Sequence, residues 1–264
     1  MDRRQYLRRA VAGVTIGTAA SAGCLSLGGG PSGGSPNTVL PKPDLDAAPE
    51  KYPYPEWSQQ IPEVTLPAAL AGREVTTTEF DTPLALTFIF TNCQTACPVL
   101  TLALQRAQQD AIDGGYADAV NFAEISFDPA RDTPEAFSEY ADERHVNLDA
   151  GNWFFLLPES EQRAKQVVTE EFGVFFEKTR MSPSGTATGT ATANATTATG
   201  TASPTDAPTE TPTADELGAG DDYMFNHTTL ILLVNGDGYV ERAYRDRNAA
   251  VKQLTKDMQT VVEA

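Results

Sequence analysis

Leu84-Ala85-Leu86-Thr87-Phe88-Ile89-Phe90 runs directly into Thr91-Asn92-Cys93-Gln94-Thr95-Ala96-Cys97-Pro98. The first seven residues are short and almost wholly apolar, without polar alternation. That pattern fits a central strand buried on both faces, as strands of parallel sheets are. Pro98 then opens a helix: Leu100, Ala103, Leu104, Ala107 and Ala111 recur at three- and four-residue spacing, and Gly114-Gly115 closes it. Two cysteines therefore stand where a buried strand hands over to a helix. Cys97 is expected at the helix cap, where the positive end of the helix dipole stabilises a thiolate, so Cys97 is expected to have the lower pKa of the two.

Working outward, residues 120–127 read as a second strand. Thr133-Pro134 starts a second helix, with Thr as cap and Pro at the first helical position; Phe137, Tyr140 and Ala141 share its inner face. Residues 153–157 read as a third strand and 159–171 as a helix. Residues 229–234 form another strand, Asn235-Gly236-Asp237-Gly238 is a hairpin turn, and 239–244 is the partner strand. A closing helix over 247–262 carries Leu254, Met258 and Val261 as its apolar stripe. Strand and helix alternate and the chain ends in a hairpin and a helix. This is an α/β fold, a thioredoxin-like mixed sheet flanked by helices, and the turn-linked last strands argue against a purely parallel sheet.

The flanks have a different chemistry. Arg3-Arg4-Gln5-Tyr6-Leu7 and an uncharged stretch ending in Ser21-Ala22-Gly23-Cys24 describe residues 1–23 as an export signal of the twin-arginine type. Its apolar stretch is short of the ~20 residues a membrane span needs. Cys24 resembles the lipid-acceptor cysteine of a lipobox, with Ser21 where Leu is usual; the other reading is an incidental thiol. Residues 24–60, rich in Gly, Pro and Ser, read as a flexible membrane tether, which puts the folded domain at 61–264 on the outer face of the cytoplasmic membrane. Inside that domain, residues 182–213 hold 12 Thr, 7 Ala and 4 Pro and no large aliphatic or aromatic side chain. Such a stretch cannot offset its ordering entropy, so a disordered Thr-rich insertion is expected at about 182–220. Its composition, and Asn194-Ala195-Thr196, also suit glycosylation.

The 264 residues carry 36 acidic and 19 basic side chains, a net charge of -17. Such a surface repels phosphate backbones, which argues against nucleic acid as a partner. A high acidic load with only six lysines suits concentrated salt, where self-repulsion is screened, and points to a halophilic source. With Cys24 assigned to lipid, Cys93 and Cys97 are the thiols of the domain. They could close a disulfide, which an oxidising compartment favours, although so small a loop stabilises little. Of the two histidines, His145 follows Glu143-Arg144 and reads as a surface residue, while His227 directly precedes an apolar strand. Two thiolates and one imidazole form a soft trigonal set that suits copper(I), whereas structural zinc usually takes a fourth protein ligand.

Cys93-x-x-x-Cys97-Pro98, then Ser126-Phe127-Asp128-Pro129-x-Arg131-Asp132-Thr133-Pro134, then His227 ahead of the last hairpin, resembles the SCO/SenC family. The resemblance covers roughly residues 61–264. It implies a membrane-tethered, thioredoxin-fold copper protein that assists assembly of the dinuclear copper centre of cytochrome c oxidase, with the copper-bearing subunit as partner. It also implies that Cys93, Cys97 and His227 are the copper ligands. Departures are the Thr-rich insertion and Asn226, where family members often carry Asp. Asp128, Arg131 and Asp132 are expected to hold the loop after the second strand. The rival reading is a thiol–disulfide oxidoreductase that keeps a partner's copper-site cysteines reduced through Cys93 and Cys97. Against it, such enzymes place a cis-Pro where this chain has His227-Thr228. A peroxidase reading finds no matching cysteine environment.

Overall fold

A computed structural model describes residue 35, residues 37–180 and residues 223–264. The expected export signal, Cys24 and the Thr-rich insertion lie outside the described residues. Among the described residues, nine strands form two sheets. The larger has the order β2 (Arg73–Thr76), β1 (Thr65–Ala68), β5 (Trp153–Leu156), β4 (Asn121–Ser126), β3 (Leu84–Ile89), β8 (Ile231–Val234), β9 (Val240–Tyr244). Its pivot is β3 (Leu84–Ile89), which pairs in parallel with β4 (Asn121–Ser126) and antiparallel with β8 (Ile231–Val234). Flanked on both edges and covered on both faces, every residue of β3 is buried, as its apolar run demands.

From β3 the chain crosses through α1 (Cys97–Gly114) to β4, and through α2 (Pro134–Glu143) to β5 (Trp153–Leu156). Both crossovers step in the same direction and right-handedness places both helices on one face. Phe137 of α2 stacks on Phe155 of β5 at 4.8 Å, and Thr101 of α1 meets Glu124, the register partner of Phe155. The helices end where their signals stand: Gly115 caps α1 in the left-handed region, and the Thr133 hydroxyl accepts the Ala136 amide at the start of α2. The closing helix α4 (Arg247–Val262) lies against α1, where Gln259 Nε2 donates to Asp110 at 2.7 Å. The opposite face is covered by Phe172 against Phe88.

The expected single helix over 159–171 is instead a short α3 (Glu161–Lys165), capped by Ser160, that widens into a π-helical turn over Gln166–Glu171. The wider turn lets the adjacent Val167 and Val168 both face inward. The expected tether through residue 60 does not hold either, because the described part from residue 37 packs on the domain. Leu40, Tyr54 and Trp57 are buried. The Glu241 carboxylate accepts the Val39 and Leu40 amides, and Trp57 Nε1 donates to the Leu40 carbonyl. Gly173, at φ +67°, lies so near Pro53 that a Cβ would stand 1.6 Å from its carbonyl oxygen. Composition alone hid this, since a few large apolar residues spaced among Pro and Gly show no period. A hairpin of β1 (Thr65–Ala68) and β2 (Arg73–Thr76) was equally unmarked and adds an edge to the sheet beside β5.

The second sheet pairs β6 (Phe176–Arg180) with β7 (Tyr223–His227), in register from Phe176↔His227 to Arg180↔Tyr223. Residues 181–222 therefore leave and return at paired positions, so the chain between them is an insertion at the end of one hairpin. β8 starts at Ile231 rather than 229, followed by β9 (Val240–Tyr244), and His227 closes β7. Among the described residues no helix is long and apolar enough to cross a membrane.

Deleting residues 182–213 should leave the fold intact. Shortening the connection to about ten residues lowers its closure cost by ~1 kcal/mol. Urea unfolding of the deletion protein should show equal or slightly raised stability. A loss above ~2 kcal/mol, the scale of a core mutation, would show that the segment packs.

Candidate metal centre

The strand-to-helix turn is held before any metal is considered. Thr91, just past β3, donates its amide (3.0 Å) and its hydroxyl (2.6 Å) to Asp132 Oδ1, whose other oxygen accepts Ser126 Oγ at 2.6 Å. The Cys93 amide donates to the Phe90 carbonyl, turning the chain back. Helix α1 then begins at Cys97, with Ala96 as its cap and Pro98 following. Pro98 lacks an N–H, so the Cys97 amide is the first donor of the helix end, and it points at Cys93 Sγ at 3.4 Å.

This reverses the expectation that Cys97 is the more acidic thiol. The Cys93 thiol is held down to about 3, chiefly by hydrogen bonding from Cys97, against its own burial and with help from His227, the Cys97 amide and Thr95. The Cys97 thiol is pushed well above the usual thiol range, first by burial and then by the neighbouring Cys93 sulfur and its charge. Two coupled sulfurs share one negative charge, and it settles on Cys93 because the more deeply buried Cys97 thiol keeps its proton and donates it to its neighbour's sulfur, the Cys97 amide at the helix N-terminus adding a smaller share. Both cysteines are unbonded and buried, at 1% and 0% exposure.

His227 arrives from the second sheet, opposite Phe176 at the end of β7. Its ring stands edge-on to Phe90 and tilted against Phe127, at centroid distances of 6.2 and 5.0 Å. Nδ1 lies 3.2 Å from the Thr228 carbonyl and Nε2 lies 3.9 Å from Cys97 Sγ. A proton on Nδ1 given to that carbonyl leaves the Nε2 lone pair facing the sulfurs, the tautomer a metal ligand needs. The ligand atoms of Cys93, Cys97 and His227 all lie within 4.8 Å of one another, and the group could hold a metal ion. Asn226 is exposed and turns away towards Thr179; the ring is oriented by Thr228 and the two phenylalanines. His145 is exposed beyond α2 in a left-handed backbone (φ 56°) and takes no part.

Asp128 and Arg131 do more than hold their own loop. Asp128 accepts the Tyr223 hydroxyl and Arg131 Nε, both at 2.6 Å. Arg131 Nη1 donates to the Tyr223 carbonyl at 3.1 Å, and its guanidinium lies 3.5 Å over the Tyr223 ring. Tyr223 begins the strand that His227 ends. The motif 126–134 thus ties the cysteine turn, through Asp132, to the histidine strand, through Tyr223. Residue spacing could show the motif but not its partner, which lies beyond the insertion.

One residue that sequence reasoning passed over lies beneath the thiols. Glu124 is 0% exposed in β4; its Oε1 accepts Thr101 Oγ1 at 2.7 Å, and Thr101 also contacts Tyr140 Oη at 2.8 Å. Burial pushes its carboxyl up to about 8. The folded chain keeps this proton to about pH 8, whereas an unfolded glutamate releases it near 4.5. The native state binds more protons across that window, so stability falls as pH rises through it. Between pH 4.5 and 8 the protein should lose on the order of 4 kcal/mol more than Glu124→Gln does. Urea midpoints of both proteins across that range check this; parallel curves would mean that Glu124 ionises normally in the fold.

Comparison with known proteins agrees with this architecture. The SCO1/SenC family model matches residues 68–199, half of the chain. That stretch includes both cysteines and the 126–134 motif, and ends before His227. An SCO1 protein homolog from Bacillus subtilis (strain 168) is 30% identical over 93 residues, which is 34% of this chain and 45% of that protein. The aligned part therefore spans about half the length of this relative. Among solved structures, a SCO1/SenC family lipoprotein from Bacillus anthracis str. Ames superposes with a TM-score of 0.52 at 18% identity, covering 78% of this chain and 95% of that one. BsSco, described as a Sco family cytochrome c oxidase assembly protein with a disulfide switch, gives 0.50 at 18% identity, covering 81% and 98%. A family match over half its length, on a mixed sheet that presents the cysteine pair at the end of its central strand, means that the chain belongs to the SCO1/SenC family.

Proposed function

We propose that this chain is an exported copper chaperone, tethered to the outer face of the cytoplasmic membrane by lipid on Cys24. It binds copper(I) through Cys93, Cys97 and His227 and assists assembly of the dinuclear copper centre of cytochrome c oxidase, with the copper-bearing subunit as partner. The observation that carries this is the donor set: two sulfurs and one imidazole nitrogen within 4.8 Å, brought from opposite sides of an insertion. Soft donors in a three-fold set suit copper(I) over harder ions. Cys93 presents a thiolate, Cys97 gives up its proton when its sulfur becomes a ligand, and the Thr228 carbonyl fixes the imidazole. Phe90 and Phe127 lie against the His227 ring and put apolar surface beside a bound soft ion. The test is copper content of the reduced, oxygen-free protein: about one per chain supports the proposal, and none overturns it.

A second reading draws on the Cys93 thiolate held beside a protonated Cys97. That is the arrangement of a thiol–disulfide oxidoreductase, here one keeping a partner's copper-site cysteines reduced. The same sulfurs cannot hold copper and a disulfide at once. Reduction of a disulfide-closed two-cysteine peptide by the copper-free protein tests it; no reduction excludes it.

A further inference from the structure

Among the described residues, β6 and β7 form a two-stranded sheet of their own, so no ladder hydrogen bond joins the strand that ends in His227 to the seven-stranded sheet. Residues 223, 225 and 227 alternate onto one face of β7. Phe225 and His227 meet Phe90 and Phe127 there by ring contacts. Apolar contact is non-directional and resists sliding of a strand only weakly. Tyr223 supplies the directional contacts. Its hydroxyl donates to Asp128 at 2.6 Å, and its carbonyl accepts Arg131 Nη1 at 3.1 Å. Its ring carries the Arg131 guanidinium at 3.5 Å and the Lys178 ammonium of β6 at 4.6 Å. Lys178 is also paired with Glu161 of α3. Asp128 is 0% and Tyr223 1% exposed, so these are charge-assisted contacts sheltered from water, the strong kind.

We propose that Tyr223 is a positioning residue for the metal centre: clamped by Asp128 and Arg131, it fixes the register of β7 and so holds the His227 imidazole against the two sulfurs. This rests on the reading of His227 as a copper ligand. The four residues from 223 to 227 span roughly 13 Å of strand, so Tyr223 acts through the strand and touches no ligand atom. Register matters here because a slip of one residue turns every side chain of a strand to its other face, which would take His227 off the sulfurs and put Asn226 or Thr228 in its place. The clamp also stands where the chain re-enters the fold after residues 181–222. Any pull from that segment is met at Tyr223, before it reaches His227.

Two conservative variants test this. Tyr223→Phe keeps the ring and removes the donor to Asp128. Arg131→Lys keeps the charge but loses the planar stack and the forked hydrogen bonds; it makes the same prediction should Tyr223→Phe fold poorly. Each should lower copper(I) affinity about tenfold in a chelator competition. In a His227→Ala background the same changes should alter affinity less than ~twofold, because the group they position is gone. A second readout needs no metal. The chain has two histidines, and His145 is exposed while the His227 ring lies against Phe90 and Phe127. Ring currents should therefore displace the His227 ring proton signals from those of His145 in the reduced, copper-free full chain. In both variants the His227 signals should move towards those of His145, which stay fixed. Unmoved His227 signals overturn the proposal. Equal affinity losses in both backgrounds also overturn it, since the clamp would then support only the fold, and leave the copper reading standing. Full affinity in His227→Ala alone overturns it together with the imidazole ligand.

Discussion

In the reduced, metal-free protein, iodoacetamide should modify Cys93 first, at a rate that barely changes between pH 5 and pH 8. An ordinary thiol near 8.5 would speed up nearly tenfold per unit over that range. Cys93 stays ionised throughout because the Cys97 thiol, then His227 and the Cys97 and Thr95 amides, hold its charge against burial. A low-pKa thiolate is a weaker nucleophile, which costs Cys93 roughly 10²–10³ in intrinsic rate. At pH 5, however, only about one in 10⁴ molecules of even a thiol at 9 is ionised, and Cys97 lies above that value and deeper. Cys93 should therefore lead by at least ~tenfold at pH 5, the advantage narrowing as pH rises. Mass mapping of a timed reaction reads both sites. Cys97 reacting first at pH 5 would return the charge to the helix cap and refute the geometry. Copper(I) should protect both cysteines, since metal and alkylating agent compete for the same lone pairs.

Removing any one of the three donors should cost more than any other change to the site. Cys93→Ala and Cys97→Ala each leave one sulfur and one imidazole, and stoichiometric copper should not survive purification. His227→Ala leaves two sulfurs, and affinity should fall by at least ~100-fold, since second-shell changes alone cost 10–100-fold. A competition titration against a copper(I) chelator measures this, with far-ultraviolet circular dichroism confirming the fold. The cysteines lie at the head of α1 and His227 at the end of a surface hairpin, so none of the three is a large core side chain. Undiminished affinity in His227→Ala would remove the imidazole from the site.

Both outcomes depend on contacts of unequal visibility in the sequence. The 84–90 run, the glycine pair after α1 and the Thr133-Pro134 start of α2 each announce an element through short-range signals. Burial on two faces, a left-handed cap and a side-chain cap act within a few residues. The cysteine spacing and His227 stood out because their chemistry is rare in a chain with three Cys and two His. The β1–β2 hairpin escaped notice because its strands are four residues long, with Pro67 inside one. The packing of residues 37–60 was hidden by a composition that looks like a spacer.

By itself, then, the amino-acid sequence determined the order of the central strands and helices, the strand-to-helix position of the thiol pair and the identity of its soft donors. All of these follow from local periodicity, capping and side-chain chemistry. Only the tertiary structure decided that Tyr223 and Arg180 pair across residues 181–222, bringing His227 to the sulfurs, because no local signal spans an insertion of that length. It alone buried Glu124 beneath Cys97, since a glutamate in a strand is equally consistent with a solvated face. It also alone chose which sulfur carries the charge. That choice turns on burial and hydrogen bonding in three dimensions: Cys97 is the more deeply buried thiol and donates to Cys93 Sγ, and its amide, 3.4 Å away, adds to the same effect.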